Sequence, residues 1–246
     1  MWYSTTIAII SAILFLLYLC YLHTYPLSYL LFIGMGLVFI SSLWVKYIAN
    51  KYLNKRTTHY MTGEELAHYI LNKEGLSHIK IIRAKNFLGE YYDPTRQVIA
   101  ISDTNLNSNS ISSYAIITHE IGHALQHKNG YFPIKIRSLF ISLANMIQLF
   151  SMGILLVSLF GGRGIYLDFL IASVGISVII QIFTLPVEIN ASIRAYNILL
   201  KNNLISKDES KHIKKVLKAA AYTYMASLLS SILNLIRLIA IRENNE

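Results

Sequence analysis

Cysteine and charge are both scarce in this chain. A single cysteine, Cys20, in 246 residues rules out an intramolecular disulfide and any cysteine-based zinc cluster, and it leaves the redox compartment open. Charged residues make up only 14% while hydrophobic residues make up 54%, against about 25% charged in ordinary soluble domains. That balance excludes a water-soluble globule and implies a membrane protein. Ionisable residues inside the apolar stretches are few, Asp168 and Arg237 being the main ones, which argues against an ion-conducting path and hence a metal transporter. Met1 to Cys20 contains no Lys or Arg and stays apolar too long for a cleavable signal peptide, so it is expected to be a retained span.

Four long apolar stretches run from Trp2 to Leu22, Leu27 to Val45, Leu143 to Phe160 and Ile165 to Leu185, and a fifth, interrupted by Asn234 and Arg237, runs from Ala219 to Ile241. Each is near the roughly 17 to 25 residues that cross a hydrocarbon core. The net charge is +9, and of 22 Lys and Arg, 12 fall in Lys46 to Arg137 and 7 in Arg194 to Lys218. With five spans taken in order, both basic segments share one face, and the positive-inside tendency places that face in the cytoplasm. No nucleic-acid motif accompanies the basic residues, so their expected partner is the anionic surface of the bilayer.

The expected organisation is two N-terminal transmembrane helices (1–50), a catalytic segment (51–137), a transmembrane hairpin (138–186), a further helix (187–218), and a C-terminal transmembrane helix with its tail (219–246). Within the catalytic segment, Thr62-Gly63-Glu64-Glu65 has the spacing of a capping box, with Gly75 as the helix stop. Two strand-like runs, Ile79 to Ile82 and Gln97 to Ser102, flank a turn-rich piece containing Tyr92-Asp93-Pro94 and are expected either as a structural hairpin or as an edge for an extended peptide.

The chemistry centres on Thr118-His119-Glu120-Ile121-Gly122-His123. Histidines four apart on a helix lie one above the other, so both imidazoles can reach one metal, with Glu120 beside it as a base for a metal-bound water. A third protein ligand must come from elsewhere. His127 lies eight residues from His119, about 12 Å along a continuous helix, whereas ligands of one zinc lie within roughly 4 Å of each other; it could join only if the helix broke. Asp168 falls at the far end of its span. Glu188 follows Leu185-Pro186, where the fourth span ends and a second helix or a kink is expected. The intervening hairpin returns the chain to the catalytic face, so topology permits Glu188 to meet the two histidines. Tyr92, His127 and Arg194 are candidate donors to an oxyanion.

HEIGHALQH, Tyr92-Asp93-Pro94, Ser110 to Ala115 and LPVEINASIRA together resemble the YugP-type neutral zinc metallopeptidases of bacterial membranes. The likeness runs from about Lys46 to Arg242 and leaves the first span outside it. More distantly the chain is similar to the heat-shock membrane proteases and CAAX prenyl-proteases. The resemblance implies one zinc held by His119, His123 and Glu188, with Glu120 as the catalytic base. In fold it implies a mainly α, polytopic, zincin-like membrane metallopeptidase of about five transmembrane helices with a small α/β catalytic segment. The expected activity is a zinc-dependent endopeptidase of the cell membrane, facing the cytoplasm and acting on peptides or membrane proteins; a catalytically silent scaffold with a structural zinc is the other reading. One departure is Asn190, where the resembled family carries an acidic residue. A neutral amide there is expected to orient a ligating imidazole less basically.

Overall fold

A computed structural model of the chain describes residues 27–84, 89–134, 136 and 163–244. In chain order the elements are α1 (Tyr29–Leu53), α2 (Gly63–Lys73), β1 (Lys80–Ala84), β2 (Tyr91–Asp93), β3 (Val98–Ser102), α3 (Asp103–Leu106), α4 (Ile111–Lys128), α5 (Arg163–Lys201) and α6 (Lys207–Glu243). The described residues form two compact units, one drawn from those within 27–38, 163–179 and 227–244, the other from those within 39–136 and 180–226.

Among the described residues three helices, Tyr29–Leu53, Tyr166–Lys201 and Lys207–Glu243, are long and apolar enough to cross a membrane. They coincide with three of the five expected spans; Trp2–Leu22, which contains Cys20, and Leu143–Phe160 lie outside the described residues. The 37 residues of α6 extend about 55 Å at 1.5 Å each, well beyond a hydrocarbon core of about 30 Å. A large part of α6 is therefore free to build structure outside a bilayer, and the same holds for the 39-residue α5. Of the two expectations at Pro186, a separate second helix is not observed: α5 runs continuously from Arg163 through Pro186 to Lys201. A proline removes one ladder bond, and long apolar helical stretches on both sides tolerate that loss, as membrane helices commonly do. In the first unit, Gly34 of α1 faces Ser230 of α6, and Arg242 Nε donates to Asp168 Oδ1 at 2.8 Å.

The second unit carries the core. Helix α2 begins as its spacing predicts: the Thr62 hydroxyl accepts from Glu65 N and the Glu65 carboxylate accepts from Thr62 N, satisfying two amides that the first turn would leave unpaired. It ends at Gly75, whose φ of +66° is a conformation other residues resist, and Leu76 N returns to Leu71 O at 2.7 Å. Leu66, Ala67, Ile70 and Leu71 form its buried stripe.

The sheet has three strands among the described residues, in the order β1-β3-β2. Strand β3 is buried along its whole length, as its uninterrupted Val98-Ile99-Ala100-Ile101 run requires of a central strand. The two runs expected as a possible hairpin instead pair in parallel, Lys80 opposite Val98 through Ala84 opposite Ser102. The antiparallel partner of β3 is the short β2, Tyr91 opposite Ala100, which lies within the piece expected to be only a turn. The Asp93 carboxylate closes the turn between them by accepting from Thr95 N at 2.9 Å and Arg96 N at 3.1 Å. Ser110 then caps α4, its hydroxyl accepting from Ser113 N at 3.1 Å. Nearly every residue of α4 is buried, so it is a core helix rather than an amphipathic surface one. The Tyr114 hydroxyl fixes it to the loop before α2 by donating to Met61 O at 3.0 Å.

Candidate metal centre

Helices α4 and α5 meet at Gly122. A Cβ placed there would come within 2.6 Å of the Ala191 carbonyl oxygen, so the missing side chain lets the two backbones touch. Glu188 lies three residues before Ala191 on α5 and is almost fully buried. Its carboxylate projects onto the two histidines of α4: Oε2 is 3.2 Å from His119 Nε2 and 3.5 Å from His123 Nε2. The three donor atoms all lie within 4.8 Å of one another, and the imidazoles stand edge to face with centroids 4.7 Å apart.

The fit to a metal can be tested on these atoms. Tetrahedral zinc with ligand bonds of about 2.0 to 2.2 Å separates neighbouring donors by about 3.3 to 3.5 Å, close to both carboxylate-to-imidazole distances. The far nitrogens are held as ligation needs. The Gln126 amide nitrogen donates to Val187 O at 2.7 Å and Asn190 Oδ1 at 3.0 Å. A carbonyl such as Val187 O can only accept, so the NH₂ end of Gln126 is fixed on that side. Its Oε1 therefore faces His123 Nδ1, at 3.0 Å. His123 Nδ1 then carries the proton, and Nε2 offers its lone pair to a metal. His119 Nδ1 contacts the Ser192 hydroxyl at 3.2 Å. Two imidazoles with anchored Nδ1 atoms and one buried carboxylate suit zinc.

Of the residues that sequence reasoning proposed, His119, His123 and Glu188 converge and Glu120 joins them at a cavity of about 250 Å³, with Tyr92 also on its wall. An adjoining cavity of about 220 Å³ shares Glu90, His119, Glu120 and Tyr224 with it. Burial raises the Glu120 pKa, opposed by the charges that His119 and His123 can carry. His127 is outside the ligand group; its Nδ1 lies 3.1 Å from the Tyr92 hydroxyl. Burial, helped by the Asp93 charge, raises the Tyr92 pKa, so the phenol stays protonated and can donate. Arg194 turns away to Asn190, with Nε donating to Oδ1 at 2.8 Å.

Four residues escaped the sequence reading. Gln126 lies three positions after His123 and Ser192 four after Glu188, the spacings that share a helix face, and that signal could have found both. Glu90 and Tyr224 left none. Glu90 is fixed by its own contacts, Oε1 accepting from the Ser102 hydroxyl and the Asn105 amide, each at 2.6 Å.

Comparison with known proteins agrees with this geometry. The family model described as "Putative neutral zinc metallopeptidase" matches residues 27–243, beginning after the first apolar stretch. A protein of Bacillus subtilis (strain 168), "Putative membrane protease YugP", is 36% identical over 214 residues, covering 85% of this chain and 92% of its own length. No solved structure matches. The chain belongs to the family of putative neutral zinc metallopeptidases.

Proposed function

We propose that the protein is a zinc-dependent membrane endopeptidase that hydrolyses peptide bonds of membrane or juxtamembrane substrates. The observation that carries this reading is the convergence of His119, His123 and Glu188 on one point of a cavity wall, with Glu120 on the same wall and outside the ligand group. The three converging residues would hold one zinc ion. Zinc bound there supplies Lewis acidity toward the scissile carbonyl and toward water.

The remaining roles belong to the chain's own groups. Glu120 accepts a proton from the attacking water and delivers it to the leaving amine, and burial raises its pKa above the ordinary carboxylate value. Tyr92, protonated and on the cavity wall, donates toward the developing oxyanion. Edge strand β2 approaches the same cavity through Tyr91, Tyr92 and the following Pro94, where an extended peptide can lie along it. The long apolar helices and the basic segments Lys46 to Arg137 and Arg194 to Lys218 support a site at the cytoplasmic face of the cell membrane.

Glu120→Gln tests the reading. It keeps the size of the side chain and removes its basicity, so zinc content and thermal stability should match wild type while hydrolysis of a membrane-protein substrate falls about 10²- to 10⁴-fold. Equal cleavage by both proteins would remove Glu120 from the chemistry, and no cleavage by either with zinc fully bound would favour a scaffold with a structural zinc.

A further inference from the structure

On the other side of Ser192, α5 and α6 enclose a second groove of about 450 Å³ within the same unit. Helix α5 contributes Ile189, Ser192, Ile193 and Tyr196, one face at helical spacing. Helix α6 answers with Lys214, Leu217, Lys218, Ala221 and Tyr222, again one face. The lining is apolar apart from one end. Ile189, Ile193 and Tyr222 are 42%, 51% and 48% exposed, so the apolar lining is open to a ligand from outside.

The polar end is equally defined. Lys214 and Lys218 are both exposed, and Lys214 Nζ sits 4.5 Å over the Tyr196 ring. Because α5 and α6 run in opposite directions along the groove, Ile189 lies toward Ala221 and Tyr222, while Tyr196 lies toward Lys214. Lys214 and Tyr222 are about 12 Å apart along the helix axis. The lysines come just before the apolar run that starts at Ala219, so the cationic end faces water and the apolar end faces the bilayer.

We infer that this groove binds one anionic phospholipid, with its phosphate on Lys214 and Lys218 and an acyl chain along Ile189, Ile193, Leu217 and Tyr222. Charge and order both select this occupant: two cations at the aqueous end match a headgroup phosphate, and an apolar trough leading into the span matches a chain. A peptide would have to supply the same order of anion and long apolar group. The volume lies within the range of specific ligand sites. Ser192 lines the groove and also contacts His119, so the bound lipid lies one side chain from the metal centre. The inference does not depend on the hydrolase reading, because binding is measured without turnover.

The test is native mass spectrometry of the intact protein in neutral detergent, titrated with phosphatidylglycerol or phosphatidylcholine. Wild type should retain one phosphatidylglycerol per chain in preference to phosphatidylcholine. Lys214→Gln with Lys218→Gln should weaken that binding about 30-fold, from about fivefold per lysine near an anionic headgroup. Lys201→Gln with Lys215→Gln, which removes the same charge outside the groove, should leave it unchanged. Ala221→Phe keeps both lysines and fills the trough, and it should also release the lipid. Thermal unfolding checks that each variant is folded. Equal binding of the two lipids, equal loss in the Lys201 and Lys215 variant, or retention in Ala221→Phe would overturn the inference. So would displacement of phosphatidylglycerol by inorganic phosphate alone, or by a peptide substrate competing for the groove.

Discussion

Adding one methyl group at Gly122 should open the metal centre, although Gly122 is neither in the ligand group nor on the cavity wall. In Gly122→Ala the new Cβ would lie 2.6 Å from Ala191 O, 3.2 Å from its carbonyl carbon and 3.3 Å from its Cα. All three are backbone atoms of a buried helix, so no side chain can swing aside. Relief to an ordinary contact of 3.4 Å requires α4 and α5 to separate by about 0.8 Å at the tightest point. Glu188 lies one turn from Ala191 and moves with it, while zinc sites tolerate only about 0.2 Å of error in a ligand distance. The expected result is about 10- to 100-fold weaker zinc binding, the range typical when a group supporting a ligand is disturbed, with a stability cost of about 1 to 3 kcal/mol from overpacking. Competition with a chromophoric chelator reads the first quantity and thermal unfolding the second. Gly36→Ala is the control, because a Cβ there meets nothing within 4 Å. Wild-type zinc affinity in a folded Gly122→Ala protein would refute the idea that this helix contact sets the third ligand.

The ligand set makes its own prediction: Glu188→Ala should lower zinc content about as severely as His123→Ala, and His127→Ala should leave most zinc bound, as elemental analysis of purified protein would show. A site emptied by His127→Ala and not by Glu188→Ala would require a three-histidine centre. Topology is checked by cysteine labelling of intact cells. Ser77→Cys and Lys211→Cys should resist an impermeant reagent and Arg163→Cys should react; labelling at Ser77 would move the centre to the outer face.

Local chemistry was the legible part of this chain. The capping box at Thr62, the stop at Gly75 and the pairing of His119 with His123 depend on neighbours in sequence, and all three are found in the structure. Glu188 was legible for a different reason: it follows Leu185-Pro186 at the end of an apolar stretch, and it stands in the LPVEINASIRA run whose resemblance implies its role. Strand β2 was missed because three residues ending in Asp-Pro read as a turn, and its strand character comes only from pairing with β3. Parallel pairing of β1 with β3 was missed because strand runs close in sequence favour a hairpin on local grounds, and only the insertion of β2 beside β3 changes that. Pro186 did not start the separate helix that was one of its two expected effects. It is a local breaker, overruled by the long helix around it.

Asn190 shows how the structure changes a chemical argument as well as a boundary. From sequence, its neutral amide should make a ligating imidazole less basic, on the premise that residue 190 touches that imidazole. It contacts Gln126 instead, accepting from Nε2 at 3.0 Å, and accepts from Arg194 Nε at 2.8 Å. Of the two amides, Gln126 is the one that reaches His123. A carboxylate at 190 could accept from the same two donors, so its charge would reach His123 across a neutral amide rather than through a direct hydrogen bond. The tautomer of His123 is set by which end of Gln126 faces it, and Val187 O, which can only accept, fixes that end whichever residue stands at 190. The Asn190 amide therefore leaves the proton on His123 Nδ1 and the lone pair on Nε2. What it contributes is a neutral link between Arg194 and Gln126, in a helix whose carboxylate Glu188 is already committed to the two histidines.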